Sequence, residues 1–444
     1  MDTYLIRTFG CQMNKHDSER VAGLLAARGM TPVQVAEDAD IVVFMTCCVR
    51  ENADERLRGQ VRSLKSVKAA RPGQLIAVGG CIGQRDGETL LRQIPHIDVV
   101  FGTHNLSRLP ALLDAAAVQR LPQVETLAES TDFTSNLPSQ REHPWHAWVP
   151  IIMGCNNFCS YCVVPYVRGR ERSRPLDAIV AEVESLVADG VLEVTLLGQN
   201  VNSYGRDLYG DERFAQLLRA VAETGVARIR FATSHPKDLS AETIEAMAEV
   251  PAVMPYLHLP AQSGSDRILA SMNRHYTQNS YLELLRRARE AVPGIAISTD
   301  IIVGFPGETE EDFEATMEVV RRGEFDQAFT FIYSPRAGTP AASMESQVPR
   351  EVSQERFDRL LELVQSSALE STLALVGTVQ PVLVEGTSKR DEAMLAGRTT
   401  TNKMVHAPVP HGASAADFTG NIVDIHIDEA QTWFLSGHVA GTQP

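Results

Sequence analysis

Nowhere in the sequence do apolar residues run unbroken for the roughly 20 positions that crossing a bilayer takes. The segment from Met1 to Cys11 also lacks the basic start and long apolar stretch of a secretion signal. The reading is a cytoplasmic protein with no membrane partner. Positive charge is scarce: 41 Lys and Arg, overwhelmingly Arg, stand against 56 Asp and Glu, for a formal net charge of -15. That balance argues against an extended phosphate-binding surface, although a local basic cluster can outweigh a global average. Heptads and low-complexity tracts are missing, which excludes a long coiled coil or a disordered tail. Cysteines are few, seven in 444 residues, and a disulfide framework is not expected in a long cytosolic chain. Metal or redox chemistry is then their leading use, and spacing must say which.

What is present is ample apolar material, 44% of residues, in a chain long enough for two or three domains. Apolar runs at 3–9, 40–46, 74–80 and 97–103 alternate with helical segments such as Ser18 to Arg28 and Glu55 to Ala70. Strand–helix alternation of this kind predicts a parallel sheet covered by helices, an N-terminal α/β domain over 1–119. The pattern fails over 120–144, which reads as a linker. A second alternating series follows in 145–372, with candidate strands at 148–154, 192–199, 227–234, 254–261, 295–305 and 327–334. Six βα units predict a TIM-like, incomplete barrel, with an open doubly wound sheet as the competing layout. One long helix is expected over Ser353 to Leu375. Beyond it, 373–444 changes to short strands with Gly-rich punctuation, the texture of a small β-barrel.

Cys155, Cys159 and Cys162 stand in GCNNFCSYCVVP, a C-x-x-x-C-x-x-C spacing directly after a candidate strand. Three thiolates on one short loop can hold three irons of a 4Fe-4S cluster and leave the fourth without a protein ligand. Electron-transfer clusters and structural zinc sites both close with four ligands. No fourth cysteine lies nearby, and His146 is on the wrong side of the strand. An open iron is a place for a substrate or cofactor to coordinate. The spacing is the signature of the radical S-adenosylmethionine superfamily, in which the amino and carboxylate groups of S-adenosylmethionine chelate that iron.

Cys11, Cys47 and Cys81 lie 36 and 34 positions apart, yet each follows an apolar run: RTFGC, FMTCC and VGGC. In a parallel sheet all carboxyl ends share one edge, where ligands collect. Three thiols separated by one βα unit each are thereby predicted to meet as a second three-cysteine site. The alternative is three unrelated small core residues, since free Cys is often buried. Neighbouring residues on an extended segment point opposite ways, so Cys47 and Cys48 should not both ligate. Spacing favours Cys47.

The whole chain resembles the methylthiotransferases, radical S-adenosylmethionine enzymes with a three-cysteine N-terminal domain, a central partial barrel and a C-terminal β-barrel called TRAM. The matching segments are TFGCQMNKHDSE, TCCVRENA, VGGCIGQ, GCNNFCSYCVVPYVRGRERSR, LLGQNVNSYG, ATSHP, LHLPAQSGSDRILASMNRHYT, STDIIVGFPGETEEDF and FTFIYSPRAGTPAA, with a TRAM-like tail. The resemblance implies two 4Fe-4S clusters, S-adenosylmethionine, and an electron donor such as a flavodoxin or ferredoxin. It implies that the Cys155/Cys159/Cys162 cluster reduces S-adenosylmethionine to release a 5′-deoxyadenosyl radical, while the cluster on Cys11, Cys47 and Cys81 presents sulfur. PYVRGRERSR and LLGQNVNSYG most resemble the branch that methylthiolates carbon 2 of an isopentenylated adenosine in tRNA. Rival substrates are a threonylcarbamoyl-adenosine tRNA or an aspartate of a ribosomal protein. A rival from another class is a non-enzymatic iron–sulfur carrier. One departure is TCCV, where the family usually has a single Cys preceded by Asn-Thr. Met45 stands in for the Asn, so a hydrogen bond behind the ligand is expected to be missing.

Other candidates follow from position. Gln199 and Asn200 end the second barrel strand, and Ser234 and His235 the third, where active-site groups of such barrels collect. These are candidate S-adenosylmethionine or substrate contacts, with a tight βα turn as the alternative. Gly304 and Gly307 in GFPGE are candidates for close backbone approach to adenine, because Gly lacks a Cβ. Asp300, in mid-strand, fits a site role or a satisfied core role equally. Arg168, Arg170, Arg172 and Arg174 form the densest basic run and are candidate contacts to tRNA phosphates, against a solvated loop paired with local acids. Segment 376–444 carries Lys389, Arg390, Arg398 and Lys403 against seven acidic residues. Its composition does not advertise RNA binding. The chain is expected to act as a monomer.

Overall fold

The computed structural model describes residues 1–47, 51–128 and 133–441, with the backbone alone at 51–53. Cys48 lies outside the described residues. The first six strands are β1 (Thr3–Thr8), β2 (Thr31–Pro32), β3 (Ile41–Thr46), β4 (Leu75–Gly80), β5 (Val99–Phe101) and β6 (Gln123–Glu125). They form one sheet in the order β2-β1-β3-β4-β5-β6, and every pair is parallel. The helices α1 (Gln12–Ala26), α2 (Glu51–Ala70), α3 (Cys81–Asp86), α4 (Glu88–Gln93) and α5 (Leu109–Gln119) make the crossovers. β3 and β4 are buried along their whole length, as strands covered on both faces must be. Alternate residues serve opposite faces: Val42, Phe44, Ile76 and Val78 pack with Leu57 and Val61 of α2. Ile41, Val43, Met45 and Ala77 pack with Val21 and Leu25 of α1 and Leu112 of α5.

β6 falls inside the stretch that the sequence reads as linker. It is three residues long, half-buried and polar at both ends, so it carries none of the apolar alternation that marks a strand. The sheet recruits it through an edge ladder with β5.

The middle of the chain contributes β7 (His146–Pro150), β8 (Ile152–Met153), β9 (Arg172–Ser173), β10 (Glu193–Leu197), β11 (Arg228–Phe231), β12 (Tyr256–His258), β13 (Ala296–Val303) and β14 (Gln327–Ile332). β7, β10 and β11 form one parallel ladder, and β12, β13 and β14 another. A parallel bridge between Ile229 and Val253 joins them into one arc. Among the described residues β7 and β14 do not pair, so the six-stranded barrel is incomplete, as expected. The candidate strand 148–154 divides. After Pro150 the chain leaves the barrel, and β8 pairs antiparallel with β9, closing a loop between them.

The helix Arg350–Leu373 leads to β15 (Val379–Ser388), β16 (Asp391–Arg398), β17 (Met404–Pro408), β18 (Ile422–Ala430) and β19 (Phe434–Val439). These close a barrel in the order β15-β16-β17-β19-β18. Two buried arginines at the amino-terminal end of β11 dock it. Arg228 donates to the carbonyls of Pro381 (2.8 Å) and Arg398 (3.2 Å), and Arg230 to those of Thr399 (2.7 Å) and Thr400 (3.1 Å). Guanidinium groups this buried must find acceptors, and main-chain carbonyls supply them. No helix among the described residues is long and apolar enough to cross a membrane.

Candidate active site

Strand register decides where the first three cysteines go. Thr8 pairs with Met45, and Thr46 with Gly80. The next residues, Gly10 and Cys11, Cys47, and Cys81, therefore leave the sheet at one level and one edge. Gly10 has φ +105°, and a methyl there would overlap Cys47 Cβ, so glycine is required twice over. Thr46 fastens the edge: its hydroxyl donates to Gly79 O (2.6 Å) and accepts from the Ile82 amide (3.1 Å). Met45 is fully buried in the apolar cluster beside α1. Hydrocarbon fills that position, and Thr46 carries the polar tie. Cys47 and Cys81 are buried and Cys11 is exposed. Cys11 caps the start of α1, and Cys81 is the first residue of α3, so each sits at the positive end of a helix.

Arg168 reaches into this edge from the other domain. It is 4% exposed and donates to Asn14 Oδ1 (3.2 Å) and Asp17 Oδ2 (3.4 Å) on α1. Cys81 hydrogen-bonds the same guanidinium, and Cys11 and Asp17 also lie in its field. The Cys11 thiol is lowered to about 6 by its hydrogen bond with Cys47 and further by Arg168. Such a thiol is largely thiolate at neutral pH, the form that binds metal.

The other three cysteines ride one loop, pinched shut where Met153 pairs with Arg172. Gly154 has φ +77°, and a methyl there would overlap Arg170 O. The Cys155 amide donates to Gly169 O (3.1 Å) and the Cys162 amide to Cys159 O (2.9 Å). Amides also address sulfur: Asn157 N–H points to Cys155 Sγ (3.4 Å) and Val164 N–H to Cys162. Arg274, buried, places Nη1 3.7 Å from Cys159 Sγ and anchors Nη2 on Pro260 O (2.8 Å). Burial pushes the Cys155 and Cys162 thiols up to about 12. Coordination to a positive centre reverses that preference, because a metal-bound thiol is deprotonated outright. His146 is at the far end of β7, with Nε2 on Thr195 Oγ1 (3.0 Å). Among the described residues neither trio brings all three sulfurs within 4.8 Å of one another. Thiolates on a single tetrahedral zinc sit about 3.8 Å apart, so neither trio is arranged as a closed zinc site.

A rim of polar groups surrounds the strand ends beside this loop. Gln199 Oε1, Asn200 Oδ1, Asn202 Nδ2, Ser234 Oγ and Glu308 Oε1 are buried and make no hydrogen bond within the chain. Such atoms are rare in a finished fold, and these gather after β10, β11 and β13. They are the complement a polar cofactor needs. Asn200 is held by its amide on Asp238 Oδ2 (2.7 Å), while Arg206 donates to the other oxygen, Oδ1 (2.9 Å). Burial lowers His235 to about 2, so its ring is neutral; Nδ1 accepts from the Lys237 amide (3.2 Å). The two glycines differ. A methyl at Gly304 would overlap Ser353 on the long helix, whereas one at Gly307 would meet nothing closer than 3.9 Å. Packing therefore accounts for Gly304, and only Gly307 faces open space. Asp300 Oδ2 lies 3.5 Å from His258 Nε2.

The arginine run divides. Arg168 and Arg174 are buried, the latter on Glu182 (2.7 Å) and Pro150 O (2.8 Å), and neither is placed to meet a phosphate. Arg170 is exposed and stacks 4.4 Å above the Phe158 ring, whose edge meets Tyr166. Arg172 is half-buried over Phe133. Sequence reasoning missed Asn14, Asp17 and Arg274 as neighbours of the cysteines. The polar N-K-H-D stretch that begins three residues after Cys11 was a signal for the first two. Arg274 gives none, because its partner Cys159 is 115 positions away.

Residues 149–320 match the Radical SAM superfamily, 3–102 the Uncharacterized protein family UPF0004 and 373–440 the TRAM domain. The chain is 54% identical to the tRNA-2-methylthio-N(6)-dimethylallyladenosine synthase of Acidothermus cellulolyticus, over 91% of this chain and 82% of that one. It is 50% identical to the protein of the same name from Thermobifida fusca, over 96% and 87%. Among solved structures it is similar in fold to the radical S-adenosylmethionine methyltransferase TsrM from Kitasatospora setae (TM-score 0.56, 15% identity, 77% and 74% covered). It is likewise similar to the cobalamin-dependent S-adenosylmethionine radical enzyme OxsB (TM-score 0.51, 12% identity, 82% and 56% covered).

Proposed function

We propose, because this chain belongs to the family of tRNA-2-methylthio-N(6)-dimethylallyladenosine synthases, that it places a methylthio group on carbon 2 of an N6-isopentenylated adenosine beside the anticodon of tRNA. It is a radical S-adenosylmethionine enzyme, and that membership implies a 4Fe-4S cluster and S-adenosylmethionine. Carbon 2 of adenine bears an unactivated C–H bond, so the cofactors supply hydrogen abstraction and sulfur while the protein supplies positioning.

Cys155, Cys159 and Cys162 would hold the cluster, which would supply the electron that cleaves S-adenosylmethionine. Amides of Asn157 and Val164 and the Arg274 guanidinium direct hydrogen bonds at these sulfurs, which tunes a cluster's potential. Gln199, Asn200 and Ser234 orient S-adenosylmethionine through the buried oxygens that lack partners in the chain. His235 stays uncharged beside it. Cys11, Cys47 and Cys81 hold a second 4Fe-4S cluster. Gly307 lets the adenine approach the backbone. Arg170 receives a tRNA phosphate, and the adjoining Phe158 and Tyr166 offer faces on which an unpaired base stacks. The chain acts as a monomer in the cytoplasm, reduced by a small electron carrier such as a flavodoxin or ferredoxin.

The observation that carries the proposal is Arg168. It leaves the loop of one cysteine trio and ends on Cys81 and Asp17 beside the other, which supports reading the two trios as parts of one centre. The test is anaerobic incubation of cluster-loaded protein with dithionite, S-adenosylmethionine and isopentenylated tRNA, followed by nucleoside mass spectrometry. The 2-methylthio nucleoside and 5′-deoxyadenosine are expected together. Cleavage of S-adenosylmethionine with an unchanged nucleoside would assign the chain another substrate. No cleavage at all would leave a carrier.

A further inference from the structure

The C-terminal barrel carries a second constellation of ligand-type side chains, far in sequence from either cysteine trio. His426 on β18 and His438 on β19 are direct cross-strand partners in an antiparallel ladder. Their rings lie 5.1 Å apart and only 32° from parallel. Between Ile427 and Glu429 the register slips, so Asp428 is the additional residue of a β-bulge. Bulges re-aim a side chain, and this one turns the carboxylate into the gap between the rings. Asp428 Oδ1 lies 2.9 Å from His426 Nδ1 and Oδ2 lies 2.8 Å from His438 Nδ1.

We propose that His426, Asp428 and His438 form a binding site for one divalent transition ion of the zinc class. Their ligand atoms fall within 4.8 Å of one another, which no other trio of His, Cys, Asp or Glu among the described residues achieves. Ligands on a tetrahedral zinc with bonds of about 2.0–2.1 Å stand about 3.3 Å apart. The present 2.8–2.9 Å separations need only small side-chain rotations to admit the ion. Two imidazoles and one carboxylate select zinc, cobalt, nickel or copper over magnesium and calcium, which ask for more oxygens. Side-chain exposures of 38%, 40% and 17% leave the site accessible and partly shielded. Three protein ligands leave a fourth position for water. Without the ion, each Nδ1 carries a hydrogen and donates to the carboxylate. With it, each ring presents a bare Nδ1 to the ion and carries its hydrogen on Nε2.

Such an ion bridges β18 to β19 at a point where β19 has only three paired residues with its other neighbour, β17. It would act as a clamp on the barrel's last strand, and none of its ligands belongs to the cysteine machinery. The test uses full-length, cluster-loaded protein under anaerobic conditions with zinc chloride alone as the probe. Bound zinc is measured by equilibrium dialysis and elemental analysis in wild type and in His438→Gln and Asp428→Asn, with iron content checked in each. The expected result is one more equivalent of zinc in wild type than in either variant, or binding at least tenfold weaker in both. Zinc should also slow amide exchange across 422–439 in wild type only. Equal uptake in all three proteins, or no slowing of exchange in this segment, overturns the proposal.

Discussion

Cys155, Cys159 and Cys162 come from one short loop, whereas Cys11, Cys47 and Cys81 are gathered from three strand ends spread over the first domain. The loop site is local. Its turns, its glycine and most of its amide-to-sulfur bonds lie within the segment between β8 and β9. The strand-end site is global: it exists only if three strands hold their register and an arginine from the next domain is in place. Their electrostatics differ in the same sense. Burial dominates the loop thiols and pushes two of them up to about 12. In the strand-end site a neighbouring thiol and Arg168 bring Cys11 down to about 6. A site assembled from distant residues borrows its charge from the domain interface, so it should fail separately from the local one.

The largest expected effect separates the two chemically. Cys155→Ala should abolish 5′-deoxyadenosine formation, a loss of at least about a thousandfold, because uncoordinated S-adenosylmethionine has no comparable route. Cys47→Ala should keep S-adenosylmethionine cleavage within a few-fold of wild type and lose the methylthio nucleoside. Both are read by mass spectrometry of one reaction mixture. Loss of cleavage in Cys47→Ala would erase the proposed division of labour.

Next in size is Arg168→Gln. It removes the arginine partner of buried Asp17 and leaves the carboxylate only the His16 ring (3.1 Å); breaking a buried ion pair typically costs about 3–5 kcal/mol. Hydrogen exchange across α1 should rise sharply, and iron at the strand-end site should fall while cleavage of S-adenosylmethionine survives. Arg168→Lys, which keeps the charge but not the fork, should restore only part of the protection.

Arg168 also marks where sequence reading stops. Four arginines in seven residues look like one surface patch, and nothing local says that the first folds inward onto Asp17, 151 positions earlier. The places of the cysteines in the fold were legible because each obeys a rule: a fixed spacing on one loop, or a repeated position after an apolar run. The incomplete barrel was legible from strand–helix alternation. β6 was not, being short and polar, and its strand identity is conferred by the neighbour it pairs with. Gly304 was read as a place for close backbone approach to adenine, and the packing reason the structure adds, Ser353, lies on a helix that sequence could locate and not dock.

A third contrast is in pH. Burial lifts the Glu19 carboxyl on α1 to about 7, although the Glu142 amide donates to it (3.1 Å). A raised carboxyl favours the protonated folded state. Its contribution is therefore complete below the ordinary value of 4.5 and lost as pH rises through about 7. The attachment of 140–142 to α1 should loosen between pH 5 and 8 by on the order of 3 kcal/mol. Glu19→Gln should remove that dependence, as local hydrogen exchange would register, while the loop site stays unaffected.

The smallest effects compare the two glycines that make room for the cysteines. Gly10→Ala, at φ +105° against Cys47, and Gly154→Ala, at φ +77° against Arg170 O, should each cost about 1–3 kcal/mol in backbone strain. Iron analysis should show Gly10→Ala depleting only the strand-end site and Gly154→Ala only the loop site. Crossed losses would mean that the sites are coupled more tightly than their construction implies.

The independence of the strand-end site is most directly tested in a Cys155/Cys159/Cys162 triple-alanine variant, by iron and sulfide analysis with Mössbauer spectra on anaerobically prepared protein. About four irons per chain, with the spectrum of a 4Fe-4S cluster, are predicted to survive on Cys11, Cys47 and Cys81. Iron falling to near zero in that variant would contradict the assignment of a second cluster to these three residues.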